Sequence, residues 1–355
     1  MKPDTSTVPA RPPLADLQHD RDRDPGRTPL REKDRKKLRV MAVTVAIGLL
    51  LLCMKFGAYV LTHSDAILTD ALESIVNVVA GLFALFSLYY ASQPKDDNHP
   101  YGHGKMEFFS AGFEGGLICI AGVSMMGKAI YSFFHPPTIG ALEWGALLTA
   151  VAGAVNYVLG RILIARGGRE NSLLMIADGK HLISDTVSSI GLLLGLALIW
   201  LTGLKWLDQV IALLFGGVIL RTGYHLITQS ITSLLDEADY GRLGQLIAQL
   251  QANRRPQWID IHNLRAIKFG SQLHVDCHLT LPWYQTLDWA HEQVSAVEDL
   301  IRRGDREDEE VEFFIHSDPC VMPSSCKVCQ LDGCPHRQAD LVQKIDWTLQ
   351  NVLSN

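Results

Sequence analysis

The sequence predicts a polytopic α-helical membrane protein: six transmembrane helices followed by a small α+β domain with the element order αββαβ. Three observations predict it. Six apolar segments follow one another between about residues 39 and 233, each near the ~20 residues that a helical bilayer crossing requires. The composition, 48% apolar with a mean hydropathy of +0.12 and 20% charged, is too apolar for a soluble domain and too charged at its ends for a membrane core alone. After Asp236 the composition turns soluble.

Residues 1–37 carry Pro3, Pro9, Pro12, Pro13, Pro25 and Pro29, then a charged run from Arg31 to Lys37. Such a stretch cannot bury a core, which predicts a disordered tail ending in a basic anchor. A signal peptide is not expected, because the start is polar and the apolar run that follows is too long for a signal core. The spans are expected at roughly 39–62, 65–91, 108–134, 141–165, 173–201 and 206–233, joined by short loops. Lys33, Arg35, Lys36, Lys37, Arg39, Lys95, Lys105, Arg161, Arg166 and Arg169 fall on one side of these spans, whereas the opposite turns carry only Lys205. The positive-inside rule therefore expects both termini in the cytoplasm.

In the soluble part, residues 239–252 read as a helix, 264–269 and 273–281 as alternating strands, and 311–316 as a short apolar strand. Residues 287–303 have helical spacing, with Val294, Val297, Leu300 and Ile301 apolar. An αββαβ order puts helices on one face of a small sheet. The expected division is a tail (1–37), a six-helix domain (38–235), an α+β domain (236–318) and a Cys-rich tail closed by a helix from about Arg337 to Leu353 (319–355).

The chemistry sits first in the spans. Glu73 and Asn77 in span 2, and His181 and Asp185 in span 5, are each four residues apart, which puts both members on one helix face, one turn apart. An ionisable side chain in hydrocarbon costs several kcal/mol unless paired, coordinated or facing water, so it points to transport. Two helices that each offer such a pair can close four ligands around one divalent ion. Asp70 shares the span-2 face and is an entrance ligand, a fifth ligand, a proton acceptor or a carboxylate in a water-filled vestibule; Asp178 is a weaker counterpart in span 5. For Glu73 and Asn77 the competing reading is hydrogen bonding between helices. Lys55, Lys128, Asn156 and His225 are assigned no role, since lysines snorkel and single asparagines pack helices. Of the seven cysteines, Cys53, Cys119 and Cys277 are scattered, whereas Cys320, Cys326, Cys329 and Cys334 crowd one segment, a pattern that in a reducing compartment favours metal ligation over disulfides.

These residues carry a resemblance. Over roughly residues 38–318 the sequence is identified as a member of the cation diffusion facilitator family of divalent-metal/proton antiporters. The marks are His181 to Asp185, the loop Gln93-Pro-Lys-Asp-Asp-Asn-His-Pro-Tyr-Gly-His-Gly-Lys105, Asp208 opening span 6, and Ser233-Leu-Leu-Asp236. The resemblance implies a homodimer in the cell (inner) membrane, with a ferredoxin-like cytoplasmic domain, that exports a divalent transition-metal cation in exchange for protons. Zn²⁺ is the foremost cargo, with Fe²⁺, Co²⁺ and Mn²⁺ as alternatives, and divalent metal is regulator as well as substrate. By position it implies a transport site of Glu73, Asn77, His181 and Asp185 with Asp70 as a further candidate, and a loop site of Asp96, His99 and His103, which read equally well as solvated loop residues. It also implies a regulatory site of His262, His278, His291, His316 and Asp318, and a salt bridge between Lys105 and Asp236 that locks the dimer. The chain departs from the family at span 2, where Asp or His followed by Asp is common and Glu73 and Asn77 stand here. With Asn77 and His181 neutral, the four ligands carry two negative charges, which a dication balances in a low-dielectric setting.

The last constellation, Cys320, Cys326, Cys329, Cys334 and His336, lies outside the family's common pattern. Cys326 and Cys329 have zinc-knuckle spacing, and Cys320, Cys334 or His336 could complete a tetrahedral site; the rival reading is redox-active or incidental cysteines. No nucleophile-base pair or open catalytic zinc motif marks the soluble part, which argues against an enzyme, and no nucleic acid partner is expected. Against the exporter stands a reading from another class, a membrane-anchored metal sensor or scaffold whose transport site is inactive, to which Asn77 lends weight.

Overall fold

The computed structural model describes residues 32–62, 65–134, 142–202, 206–270, 272–304 and 310–353. Six long helices come first: α1 (Glu32–Thr62), α2 (Asp65–Ala91), α3 (Lys105–Phe134), α4 (Leu142–Arg169), α5 (Leu173–Thr202) and α6 (Trp206–Leu234). The shortest has 27 residues and the longest 31, so at about 1.5 Å per residue each exceeds the ~30 Å of bilayer hydrocarbon. Among the described residues, stretches of α1, α2, α3 and α6 are long and apolar enough to cross a membrane. In the described part of α5 the apolar run is interrupted by Asp178, Lys180 and Asp185. Val60, Ile120, Phe134, Leu214 and Val218 stand out from the bundle surface, where a lipid phase is the environment that covers them without cost.

Small residues bring the helices together. A Cβ on Gly115 of α3 would lie 3.0 Å from the Gly223 carbonyl oxygen of α6, and one on Gly160 of α4 would lie 2.8 Å from that of Gly179 on α5. Backbones approach this closely only where side chains are absent. Helix α1 starts earlier than expected, so residues 32–37 of the presumed tail are helical. Lys37 explains this: it is 3% exposed, with Nζ 4.0 Å from Glu107 Oε1 on α3, and the Ser172 hydroxyl donates to the same carboxylate. A buried cation needs such a partner, and it draws the helix inward. Residues 1–31, to which the expectation of disorder also applies, lie outside the described residues.

The C-terminal domain contains α7 (Tyr240–Ala252), β1 (Asp260–Phe269), β2 (Gln272–Leu281), α8 (Leu287–Gly304) and β3 (Glu310–Pro319), the expected αββαβ order. Strand β2 is central, antiparallel to β1 and parallel to β3; the parallel pair is joined through α8, as parallel strands require. Leu243, Leu246, Ile247 and Leu250 recur at helical spacing on α7 and bury against Trp258, Val275, Leu279, Val297 and Ile301.

The helix expected from Arg337 to Leu353 is corrected by the structure, which is helical only at α9 (Leu349–Val352). The backbone N–H groups upstream bond elsewhere. Those of Val342 and Gln343 reach the Lys327 carbonyl at 2.8 and 3.2 Å, and that of Trp347 reaches Gln251 Oε1 at 3.0 Å. Trp347 is buried, with the Arg254 guanidinium 4.1 Å from its ring centroid. Burial of this indole outweighs local helix propensity, which is a weak preference.

The loop between α2 and α3 seats the domain on the bundle. Tyr101 stacks on Phe269 with ring centroids 5.5 Å apart, Lys95 pairs with Glu312 at 2.6 Å, and a Cβ on Gly104 would overlap the Phe269 carbonyl. Gly104→Val is therefore expected to loosen the seat, costing about 1–3 kcal/mol as overpacking does, and limited proteolysis between α6 and α7 checks it by faster cleavage. Asp239 caps α7 through the Arg242 N–H at 3.0 Å and pairs with Lys268 at 2.9 Å; the hydrogen bond from Lys268 holds its carboxyl below the usual range against partial desolvation. A depressed folded value means that this contribution is present above the unfolded value and lost as pH falls through the folded one. Asp239→Ala should thus lower stability at neutral pH by about 1 kcal/mol, mostly through the lost cap because the ion pair is exposed. In thermal melts the gap to wild type should close as the pH is taken below about 4.

Candidate metal centres

In the bundle, α5 carries Asp178, His181 and Asp185 at spacings that place them on one side of the helix. His181 is 5% exposed and Asp178 4%. Asn77 of α2 reaches across: its Nδ2 donates to Asp185 Oδ2 at 2.8 Å, and its Oδ1 lies 3.3 Å from His181 Nε2. His181 Nε2 is 4.0 Å from Asp185 Oδ2. Three of the four residues expected to form the transport site therefore meet. Glu73 lies one turn before Asn77 on α2 and Asp70 a turn earlier; their side chains lie outside the described residues.

A residue that the sequence reading passed over joins them. Glu114 of α3, fully buried, has Oε2 3.5 Å from His181 Nδ1, and among the described residues neither its oxygens nor Asp178 Oδ2 finds a hydrogen-bond partner. The available signal was a lone carboxylate inside an apolar span. The grouping offers oxygens and one imidazole, a donor set suited to a borderline or hard divalent cation.

The loop residues also come together. Asp96 Oδ1 is 3.0 Å from His99 Nδ1, Asp96 Oδ2 is 3.4 Å from His103 Nε2, and ligand atoms of all three lie within 4.8 Å of one another. Desolvation pushes the Asp96 carboxyl up, but hydrogen bonds from the His99 backbone and ring and from the Asn98 N–H outweigh it and hold it low. His103 is buried, with its ring against Tyr90 at 4.7 Å.

On the sheet, register does the assembling. His262 of β1 pairs with His278 of β2, which pairs with His316 of β3, so three imidazoles form one row across the strands. A register shift after His262, with Asn263 at φ 54°, bends β1 there, the local kink that a bulge imposes. Asp318 closes the row: its carboxylate lies 3.0 Å from His278 Nδ1, 2.7 Å from His316 Nδ1 and 3.4 Å from His262 Nε2. Ligand atoms of His262, His278 and Asp318 lie within 4.8 Å of one another. Desolvation raises the Asp318 carboxyl, and the bonds to His278 and His316 overcome it, holding it below the usual range. Asp260, 3.5 Å from His262 Nδ1, was not singled out in the sequence; such a carboxylate orients an imidazole from behind. His291 stands exposed on α8 and lies outside this triad.

Lys105 and Asp236 pair within one chain at 2.9 Å, both about one-third exposed. In the tail, Cys326 and Cys329 are buried and Cys320 and Cys334 partly so. His336 packs its ring between Trp283 and Tyr284, 5.0 and 4.9 Å away.

Comparison with known proteins matches two family models, one described as the cation efflux transmembrane domain over residues 41–235 and one as the cation efflux protein cytoplasmic domain over residues 241–320. The chain is similar to the uncharacterized transporter sll1263 of Synechocystis sp., 34% identical over 259 residues that span 73% of this chain and 84% of the relative. It is similar also to the cation-efflux pump FieF of Escherichia fergusonii, 30% identical over 305 residues (82% and 96%), and to metal tolerance protein C1 of Arabidopsis thaliana, 28% identical over 342 residues (90% and 70%).

The sheet triad and the bundle site share no residues, so they separate by mutation. Asp318→Ala is expected to remove one class of divalent-ion binding, with at least tenfold weaker affinity, from calorimetric titrations of the solubilised chain, whereas His181→Ala leaves that class in place.

Proposed function

We propose that this chain, which belongs to the cation efflux (cation diffusion facilitator) family, exports a divalent transition-metal cation, Zn²⁺ foremost, in exchange for protons, with Asn77, His181 and Asp185 and, by position, Glu73 as the transport ligands. The observation that carries this is the convergence of Asn77 from α2 with His181 and Asp185 from α5 at 2.8 to 4.0 Å, inside a bundle where such groups are costly without a cation or protons. The names of the relatives, a cation-efflux pump and a metal tolerance protein, favour outward movement of metal.

The exchange follows from the donor set. Metal takes the imidazole neutral and the carboxylates ionised, so binding expels protons and protonation expels metal. Glu114, whose two oxygens find no hydrogen-bond partner among the described residues, and Asp178, whose Oδ2 finds none, act as proton carriers beside the ligands. In an inner membrane, with the basic loops and both termini in the cytoplasm as their charge bias favours, an inward proton gradient drives metal out. The loop and sheet triads take the same ions from the cytoplasm, and the sheet triad, in a homodimer, links metal level to transport.

Reconstituted in proteoliposomes, wild-type chain should show metal-dependent proton flux, and His181→Ala or Asp185→Ala should reduce it at least a hundredfold while leaving the protein folded. Wild-type flux in either variant would remove these ligands from the site. Growth of an exporter-deficient strain over a panel of metals names the ion, and no rescue by any of them would favour the anchored sensor instead.

A further inference from the structure

The cysteines of the tail are untouched by the exporter reading. Beyond residue 320, where the family match ends, the described residues have one 3₁₀ turn (Ser325–Lys327) and the short α9 as their regular structure. Between Cys320 and Arg337 the only buried residues are Cys326 and Cys329, with Val321 exposed and Met322, Val328 and Leu331 partly buried, so the segment has little apolar core of its own. Irregular segments of this kind are held by covalent or metal staples.

The four thiols line one pocket, together with Trp283 and His336. The first is anchored by the Cys320 N–H on the Leu281 carbonyl at 2.8 Å, and the 3₁₀ turn brings the Cys329 N–H onto the Ser325 carbonyl at 3.0 Å. Arg337 ties the rest: its guanidinium donates to the carbonyls of Cys326, Cys329 and Leu331 at 3.2, 3.1 and 2.8 Å. The Gln338 N–H points at Cys326 Sγ from 3.5 Å, the kind of bond that supports a thiolate bound to metal. All four are free cysteines.

We propose that Cys320, Cys326, Cys329 and Cys334 form a tetrathiolate centre for a soft metal, separate from the cargo sites and acting as the staple that fastens the tail to the end of the sheet. Four thiolates select zinc or an iron–sulfur cluster over hard cations. Two features bear on which. One tetrahedral zinc, with Zn–S near 2.3 Å, needs its sulfurs about 3.8 Å apart, and among the described residues no three of these thiols lie within 4.8 Å of one another. The run Cys326-x₂-Cys329-x₄-Cys334-Pro335 also has the close spacing and terminal proline of cluster-binding runs. An iron–sulfur cluster takes more widely separated thiolates than one zinc does, and a single zinc would need these thiols drawn inward. His336, its ring tilted at 51° to both Trp283 and Tyr284, is a wall of the pocket.

The test uses the full chain, purified without oxygen in detergent after exchangeable cargo has been removed with a mild chelator. Wild type should retain either about one zinc per chain or about four irons with four acid-labile sulfides and a broad visible absorption. Cys326→Ala/Cys329→Ala should lose that complement while keeping metal-dependent proton flux, which separates this centre from the transport site. Thiol alkylation guards against a misfolded variant: in wild type the tail cysteines should resist the reagent until a strong chelator is added. Equal metal content in wild type and the double variant, or thiols that react at once in untreated wild type, would overturn the proposal.

Discussion

Ionisable groups inside an apolar helix bundle are the constraint on which the rest of the molecule depends. Glu114, Asp178 and His181 are all 5% exposed or less, on α3 and α5, with Asp185 and Asn77 beside them. Their charge must be balanced within a few ångström, because hydrocarbon offers no water to do it. The packing serves this. Glycine contacts let α3 lie against α6 and α4 against α5, and Glu114 of α3 faces His181 of α5 inside the bundle, among buried apolar residues such as Ile118 and Met175. On the proposed function, a site that is neutral with protons or with a dication, and costly with neither, suits the exchange of one for the other.

The C-terminal domain is tied to that bundle by contacts that touch both peripheral triads. Asp96, His99 and His103 sit in the loop whose Tyr101 stacks on Phe269 and lies 5.9 Å from His274. His274 is on β2, four residues before His278 of the sheet triad, and its Nδ1 faces Glu312 of β3 at 3.2 Å. Burial pushes the His274 imidazole below its usual range, with Glu312 partly offsetting this; a neutral ring is what the stack around Tyr101 and Phe269 accommodates. The loop and the row of histidines are thus the two ends of one continuous packed path. On the proposed function, an ion bound at either end that shifted β2 or β3 would change the affinity of the other, and reciprocally so.

Much of this architecture was legible in the residues. Apolar run lengths gave six helices, and alternation followed by helical spacing gave αββαβ, because both periodicities are local and the burial that reinforces them is simple. What escaped was tertiary. Residues 337–348 have the composition of a helix, but Trp347 has its place in the domain core and its backbone N–H a partner on Gln251, neither visible along the chain. Lys37 looked like part of a solvated basic run until Glu107, seventy residues later, proved to be its partner. Glu114 carries no i, i+4 companion and so formed no motif, and Asp260 is one acidic residue among many until β1 turns it toward His262. The histidine row itself depended on register, which a single strand pattern does not contain; it gathered His262, His278 and His316 and left His291 outside on α8.

The division of donor types across the molecule follows from what each site has to do. A carrier must release its ion within each cycle, and oxygen and imidazole ligands permit that because a proton competes for each of them in the accessible pH range. Thiolates hold soft metals too firmly for such turnover. Among the membrane helices the cysteines are Cys53, exposed, and Cys119, whose sulfur faces the Leu220 carbonyl at 3.8 Å; neither lies beside His181. The four clustered cysteines follow the end of β3 instead, from Cys320, two residues past Asp318, to Cys334. On the proposed function, thiolates kept apart from Asn77, His181 and Asp185 leave that site to oxygen and imidazole donors, which release an ion when protonated.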